Sequence, residues 1–271
     1  MAKAFSVASW NVEHFKGDPA RADRVIAFLA AQSPDVFALY EVEGTESFEA
    51  LVSGMPGHTF HITEGQQVQE ILVGVRQKLT AFFTQKTEFR SGASAMRPGA
   101  LLTITVDGEH YPLLFLHTAS MNDPRGLGLR DDMLLRACEF RKTLNKAADG
   151  CANFIFMGDF NTMGMKYKYV KGRDIKPTDE LTKLAKEAEK MKMRMLTKDG
   201  PATWSNGSKS SLRPSNLDHV VAAEHLGFKM FNGAEVTLRG WPQEGTIAKQ
   251  DAWIRDYSDH ALMYFEVEKV Q

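Results

Sequence analysis

The chain has 271 residues, a formal net charge of −1, and 43% hydrophobic against 25% charged residues. This is enough chain to bury a large core, and no apolar run approaches the roughly 20 residues that a membrane span requires. Two cysteines exclude a disulfide scaffold, and the near-zero charge says nothing global about partners.

The first strand-like run, "FSVASWN" (5–11), alternates and reaches Asn11 and Glu13 too soon for a secretory apolar segment. It reads as the first core strand of an unexported, cytoplasmic protein. Residues 21–31 then place Val25, Ile26, Leu29 and Ala30 on one helical face. Further strand-like runs follow at "DVFALYE" (35–41), "ILVGVR" (71–76), "ALLTITV" (100–106) and "YPLLFLH" (111–117), with a hairpin signal at Asp107-Gly108 between the last two. Residues 129–144 have helical spacing through Leu129, Met133, Ala137, Phe140 and Leu144. Cys138 falls in that helix and Cys151 in the loop after it, two unremarkable thiols that suit a reducing compartment.

After "NFIFMGD" (153–159) comes a different segment, about 163–203, read as a lysine-rich insertion. Within it, residues 166–198 hold 11 Lys+Arg against 5 Asp+Glu, a local charge of +6 that leaves −7 for the remainder. The stretch "TDELTKLAKEAEKMKMRM" (178–195) predicts a helix. It is either a solvated face of acid and base pairs or a surface for an anionic ligand, with Tyr167 and Tyr169 available for stacking. The runs "LDHVVAA" (217–223) and "ALMYFEVE" (261–268) close the chain. Interspersed strands and helices without a linker or repeat predict an α/β fold, mixed sheets covered by helices, in one domain over 1–271.

Six strands carry at an end a residue able to bind metal or move protons: Asn11 and Glu13; Glu41; His117; Asp159 and Asn161; Asp218; Asp259 and His260. Singly, each reads as a turn former, a cap or a structural histidine. Jointly they point to a site, because open α/β sheets place ligands at strand ends. Converging carboxylates repel unless a cation is present, and oxygen donors without cysteine or an HExxH pair favour a hard dication such as Mg²⁺ over zinc.

The ordered set "SWNVE", "LYEVE", "QEILVGVR", "LHTAS", "MGDFN", "NLDHVV" and "YSDHAL" spans most of the chain. It resembles the endonuclease/exonuclease/phosphatase superfamily, which includes deoxyribonuclease I, exonuclease III, neutral sphingomyelinases and inositol-polyphosphate 5-phosphatases. The resemblance implies a four-layer, deoxyribonuclease I-like architecture, a two-sheet β-sandwich flanked by helices, that hydrolyses phosphate esters with Mg²⁺ or Mn²⁺. It implies Glu41 and Asn11 as the metal site, with Asp259 close by and Glu13, where related nucleases often carry aspartate, as an indirect ligand. Asp159 and Asn161 match the pair that positions water and phosphate, and His260 the catalytic histidine, polarised by Asp218. His117 in "LHTAS" resembles the deoxyribonuclease I-like version, in which a glutamate, here Glu70, orients a histidine that protonates the leaving oxygen. Arg97 in "MRPGALLTI" resembles the phosphate-contacting arginine.

These features favour a monomeric nuclease acting on DNA, with Lys166, Tyr167, Lys168, Trp204, Lys209 and Arg213 as its nucleic-acid contacts. Two rivals remain: a phosphomonoesterase of the inositol-polyphosphate or sphingomyelinase type, and an inactive binding module. Asn216 and His219 stand where the 5-phosphatase signature expects an aromatic residue and an arginine.

Overall fold

The computed structural model describes residues 2–44, 46–65 and 69–270. The elements, in chain order, are β1 (Lys3–Phe15), α1 (Pro19–Ala31), β2 (Val36–Val42), α2 (Glu46–Gly54), β3 (His58–Ile62), β4 (Glu70–Arg76) and β5 (Thr80–Lys86). Then come β6 (Gly99–Val106), β7 (Glu109–His117), α3 (Pro124–Ala147), β8 (Ile155–Asp159), α4 (Pro177–Lys190) and β9 (Met193–Met195). The last are β10 (Asp218–Ala223), β11 (Thr237–Arg239), α5 (Ile247–Asp256) and β12 (Leu262–Glu268). No helix among the described residues is long and apolar enough to cross a membrane.

The strands form two six-stranded mixed sheets, ordered β11-β12-β1-β2-β4-β3 and β5-β6-β7-β8-β10-β9. Each has one parallel pair at its centre, β1 with β2 and β7 with β8. A parallel pair needs a crossover, and α1 and α3 supply it. Both helices start on an aspartate cap followed by proline: Asp18 accepts from Arg21 N–H at 3.0 Å, and Asp123 from Gly126 N–H at 2.7 Å.

The continuous apolar runs are explained by burial on both strand faces. In β7, Leu113 and Phe115 enter the core between the sheets, while Leu114 and Leu116 pack in the second core with residues of α3 and α4. In β8, Ile155 and Met157 face the first core, and Phe156 the second. Val25, Ile26 and Leu29 of α1, Leu51 of α2 and Trp253 of α5 join the core of the first sheet. The expected four-layer, two-sheet architecture is what the chain adopts.

The lysine-rich helix ends earlier than its composition suggests. α4 stops at Lys190, Lys192 turns through φ 56°, and "MRM" becomes the edge strand β9, paired with β10 through Met195 and Val221. Charge periodicity continues past Lys190, but Met193 is taken into the second core and strand pairing overrides propensity. α4 is not wholly solvated either: its Glu180 is buried against Arg130 of α3, at 2.7 Å from the guanidinium Nε. α2, β3, β5, β11 and α5 are not among the elements predicted from the sequence, and β5 is an edge strand whose burial pattern shows no alternation.

Strand register places the polar ends together. His117 pairs with Asp159 across β7 and β8, and Asp218 pairs with Asp159 across β10 and β8. Gly158 makes the approach possible. Its φ of +145° suits glycine, and a Cβ there would lie 1.9 Å from the Leu116 carbonyl oxygen and 3.0 Å from the Tyr40 hydroxyl. Gly158→Ala should therefore cost about 3 kcal/mol or more of unfolding free energy in denaturant titration, or leave no folded protein. A loss below about 1 kcal/mol would show that the strand ends are not so tightly held.

Candidate active site

Two broken strands aim the first sheet's side chains. β1 shifts register between Asn11 and Phe15, and β2 between Leu39 and Val42. Inside those irregularities Glu13, His14 and Glu41 take left-handed backbone, with φ of 45°, 46° and 63°. Asn161, beyond β8, has φ 48°. Left-handed backbone at non-glycine residues is uncommon; here it also occurs at turns such as Lys192, but four such residues gather at this one site.

The result is a shared amide. Asn11 Nδ2 donates to Glu41 Oε1 at 3.1 Å and to Asp159 Oδ2 at 3.0 Å, joining a carboxylate of each sheet. The Asn11 Oδ1 accepts from Glu13 N–H at 3.0 Å, which fixes the amide's orientation. Asp159 Oδ1 accepts from Asn161 N–H at 3.0 Å, and Asn161 Nδ2 donates to the Thr118 carbonyl at 3.2 Å. Glu41 Oε2 accepts from His14 N–H at 3.1 Å.

His260 closes the site from the segment before β12. Its Nδ1–H donates to Asp218 Oδ2 at 2.8 Å, while Nε2 lies 3.7 Å from Asp159 Oδ2 and 3.9 Å from Asp259 Oδ1. Burial pulls the imidazole's pKa down, but Asp218 and Asp159 together pull it well above its usual value, so His260 is a cation near neutrality. Burial pushes the Asp159 carboxyl up and Asp218 adds to this, against the His260 charge and the Asn11 and Asn161 donors. Asp218 is held by Thr203 Oγ1, which accepts its backbone N–H at 3.0 Å. Trp10 Nε1–H donates to the His260 carbonyl at 2.9 Å, and Ser258 Oγ accepts from His260 N–H at 3.1 Å and donates to the Asn11 carbonyl at 2.7 Å.

The floor opens into a cleft of about 500 Å³, whose lining includes Glu13, Glu41, Asp159, Asn161, Trp204 and Asp259. Glu13 and Asp259 are both raised, first by burial and then by each other in the case of Glu13, and by Glu41 in both. Trp204 Nε1–H, at 2.6 Å from Asp259 Oδ2, offsets part of this. So many half-buried carboxylates on one wall fit a hard dication with oxygen ligands. Donor atoms of Asp159, Asp218 and His260 also lie within 4.8 Å of one another. In that trio Asp218 is engaged with His260, which carries charge; the carboxylates of Glu41, Glu13 and Asp259 on the cleft wall fit a hard dication as oxygen donors, whereas Asn11 presents Nδ2–H rather than oxygen to Glu41.

Several expectations for the neighbouring residues change. His117 Nε2 is 3.7 Å from Glu41 Oε1 and 3.6 Å from Asp159 Oδ2, but the ring is buried and does not line the cleft. Burial, Arg97 and His260 hold its pKa well below the usual histidine value. It is thus a neutral ring between two carboxylates, unsuited to protonating a leaving oxygen. Glu70 does not orient it: His117 Nδ1 has no hydrogen-bond partner among the described residues, and Glu70 accepts instead from the Thr63 hydroxyl. Arg97 lies close enough to Glu41 and Asp159 for both to oppose the fall that burial causes in its pKa. Its guanidinium is tied to Gln69, donating from Nε to the backbone carbonyl at 2.8 Å.

Of the proposed nucleic-acid contacts, Trp204 and Arg213 line the cleft, and Arg213 is exposed. Lys166 is exposed beside it, its N–H donating at 2.7 Å to the carbonyl of cleft residue Asn122. Lys168 and Tyr167 are not among the lining residues, and Lys209 lies in an adjoining hollow that shares Glu13. Sequence reasoning missed Trp10, Thr203, Ser258 and His14. Trp10 and Ser258 stand inside quoted motifs, but nothing local to them shows that they hold His260.

The sequence profile of the Endonuclease/Exonuclease/phosphatase family matches residues 8–260. No curated protein matches the chain in sequence. Among solved structures, truncated TDP2 from Caenorhabditis elegans superposes with a TM-score of 0.68 at 15% identity, covering 98% of both chains. D. rerio TDP2 complexed with single strand DNA product gives 0.68 at 17%, covering 98% of this chain and 99% of that one. Bacteroides thetaiotaomicron mannosyl-6-phosphatase gives 0.62 at 14%, covering 98% and 100%. At these identities the likeness concerns the fold. With the profile running through every residue of the site from Asn11 to His260, the chain belongs to the Endonuclease/Exonuclease/phosphatase family.

Proposed function

We propose that the protein is a Mg²⁺- or Mn²⁺-dependent phosphodiesterase that hydrolyses nucleic acid, DNA above all, by in-line attack of water. The observation that carries this is the contact set around Asp159: Asn11 and Asn161 fix its two oxygens, and the His260 cation stands 3.7 Å away. A base, a cation for phosphate oxygens and a wall of oxygen donors converge on one open cleft.

Asp159, raised by burial, is basic enough to take a proton from water, and its two fixed oxygens leave it one direction of approach. His260 and the Asn161 amide hold nonbridging phosphate oxygens, with Asp218 keeping Nε2–H of His260 turned toward them. His117, neutral, spaces Glu41 from Asp159 as a positioning residue. A dication held by Glu41 with Asp259 at hand would, when bound, neutralise charge developing on the ester. The wall bearing Trp204 offers a ring face for a base, and Arg213 a charge for the next phosphate. A relative of the same fold is known in complex with single strand DNA product, which supports this substrate class.

Asp159→Asn and His260→Ala should each lower kcat on plasmid DNA by about 10²–10⁴ with unchanged circular dichroism, and near-native turnover in both would reject the assignment. Since burial and Asp218 place the Asp159 carboxyl above the usual range, the low-pH limb of kcat/KM should lie above about pH 4 at limiting metal. It should move to lower pH as Mg²⁺ or Mn²⁺ saturates, because a nearby dication favours the ionised form; a limb unmoved by metal contradicts the shared site. Arg213→Ala should reduce the slope of log affinity against log salt by about 1, with kcat on short oligonucleotides retained. If inorganic phosphate is released from sugar or inositol phosphates faster than DNA is cut, the enzyme is a phosphomonoesterase instead.

A further inference from the structure

The strands that carry Asp159 and Asp218 hold a second group of reactive side chains at their other ends. Asn153 precedes β8 and His225 follows β10, and Ala223 N–H donates to the Phe154 carbonyl at 2.9 Å, so the two segments lie side by side. From Asn153 to Asp159 the chain runs about 20 Å at about 3.3 Å per residue. This group is therefore remote from the phosphate site.

Cys151 Sγ lies 3.3 Å from His225 Nδ1, and His225 Nε2 lies 2.8 Å from Asn153 Oδ1. The Asn153 amide is not free to flip. Its Nδ2 donates to Glu109 Oε2 and to the His110 carbonyl, both at 3.2 Å, and neither partner could donate to an oxygen placed there. The Oδ1 therefore faces His225, which must carry its proton on Nε2. That leaves Nδ1, the nitrogen facing the thiol, as the acceptor. Arg141 completes the arrangement: its Nη2 donates to Cys151 Sγ at 3.1 Å, while Nη1 donates to the Met191 carbonyl at 2.8 Å and to the Lys192 carbonyl. A base in the right tautomer and a fixed cation both favour thiolate over thiol.

The thiol is exposed and opens on a hollow of about 360 Å³ with Pro112, Leu144 and Ala147 as its apolar wall. We propose that Cys151, activated by His225, Asn153 and Arg141, is a second nucleophilic site, which takes low-molecular-weight disulfides and becomes S-thiolated. The hollow offers room for an organic substituent, more than a peroxide needs. The Cys151 thiolate attacks one sulfur of the disulfide, a new S–S bond forms and the old one breaks. The departing thiolate leaves with the electron pair and takes the proton that His225 received from Cys151. Cys151 is oxidised to the mixed disulfide, and the departing sulfur is reduced to a thiol.

The full-length protein is treated with 5,5′-dithiobis(2-nitrobenzoic acid), and the rate of coloured-thiolate release is followed from pH 5 to 9. The ionisable groups facing the reaction are Arg141 of α3, His225 with Glu224 beside it, and Glu109 and His110 around Asn153. Cys138 is buried and should stay silent. The midpoint is compared with that of free glutathione titrated alongside, and the base and cation beside Cys151 should place it lower. His225→Ala and the bulkier His225→Gln should both move it up by a unit or more, and Asn153→Ala should move it part of the way. The midpoint is the deciding quantity. A lower midpoint raises the thiolate fraction at neutral pH, but lower basicity costs nucleophilicity, so the rate at one pH moves little. Glutathione disulfide should add one glutathionyl mass at Cys151, lost in Cys151→Ser, whose phosphoester turnover stays unchanged. A wild-type midpoint no lower than that of glutathione, the same midpoint in folded His225 variants, or an adduct on Cys138 would each overturn the proposal.

Discussion

One amide group holds the two sheets to a common chemistry. Asn11 Nδ2 divides its two protons between Glu41 of the first sheet and Asp159 of the second, at 3.1 and 3.0 Å. Each carboxylate alone would be a turn residue at a strand end. Joined, they put negative charge where burial makes it costly, and the surrounding groups answer that cost: the His260 cation, the Arg97 guanidinium nearby, the Asn161 N–H and the Trp204 indole N–H. Such a site is built to receive positive charge or a proton, which is what metal-assisted ester hydrolysis asks of it.

Backbone strain maintains the amide bridge. Glu13, His14, Glu41 and Asn161 all take left-handed conformations, each costing on the order of 1 kcal/mol or more. The strain is tolerable because the flanking strand segments are buried on both faces, from Trp10 to Val12 in β1 and through Ile155 to Asp159 in β8. The core absorbs what the ends require. The same rigidity fixes His260 and Asp218, since Trp10, Ser258 and Thr203 are buried residues whose polar atoms hydrogen-bond their backbone.

The opposite ends of β8 and β10 repeat the device with different chemistry. There, too, an asparagine amide fixed by neighbouring acceptors decides what a partner can do: Asn153 sets the tautomer of His225, as Asn11 sets the orientation of two carboxylates. Paired strands with buried faces are stiff beams, and both sites use their ends because side chains there are positioned without being enclosed.

Much of this was legible from the residues. Alternation and helical spacing are local properties, so the long core strands, α1 and α3 could be read from nearest neighbours. Polar residues in the ordered motifs from "SWNVE" to "YSDHAL" likewise announced Asn11, Glu41, Asp159, Asn161, Asp218 and His260, which the structure brings around one cleft floor. What tertiary structure alone decided are relations between distant segments. Met193 pairs into a sheet in spite of helical charge spacing, Glu70 turns to Thr63 and leaves His117 without it, and burial makes His117 a neutral spacer. Cys151 gained its imidazole from a residue 74 positions away. Periodicity reports what a residue must face; which atom it meets there depends on register, rotamer and the dielectric of the packed interior, and these exist only after the chain has folded.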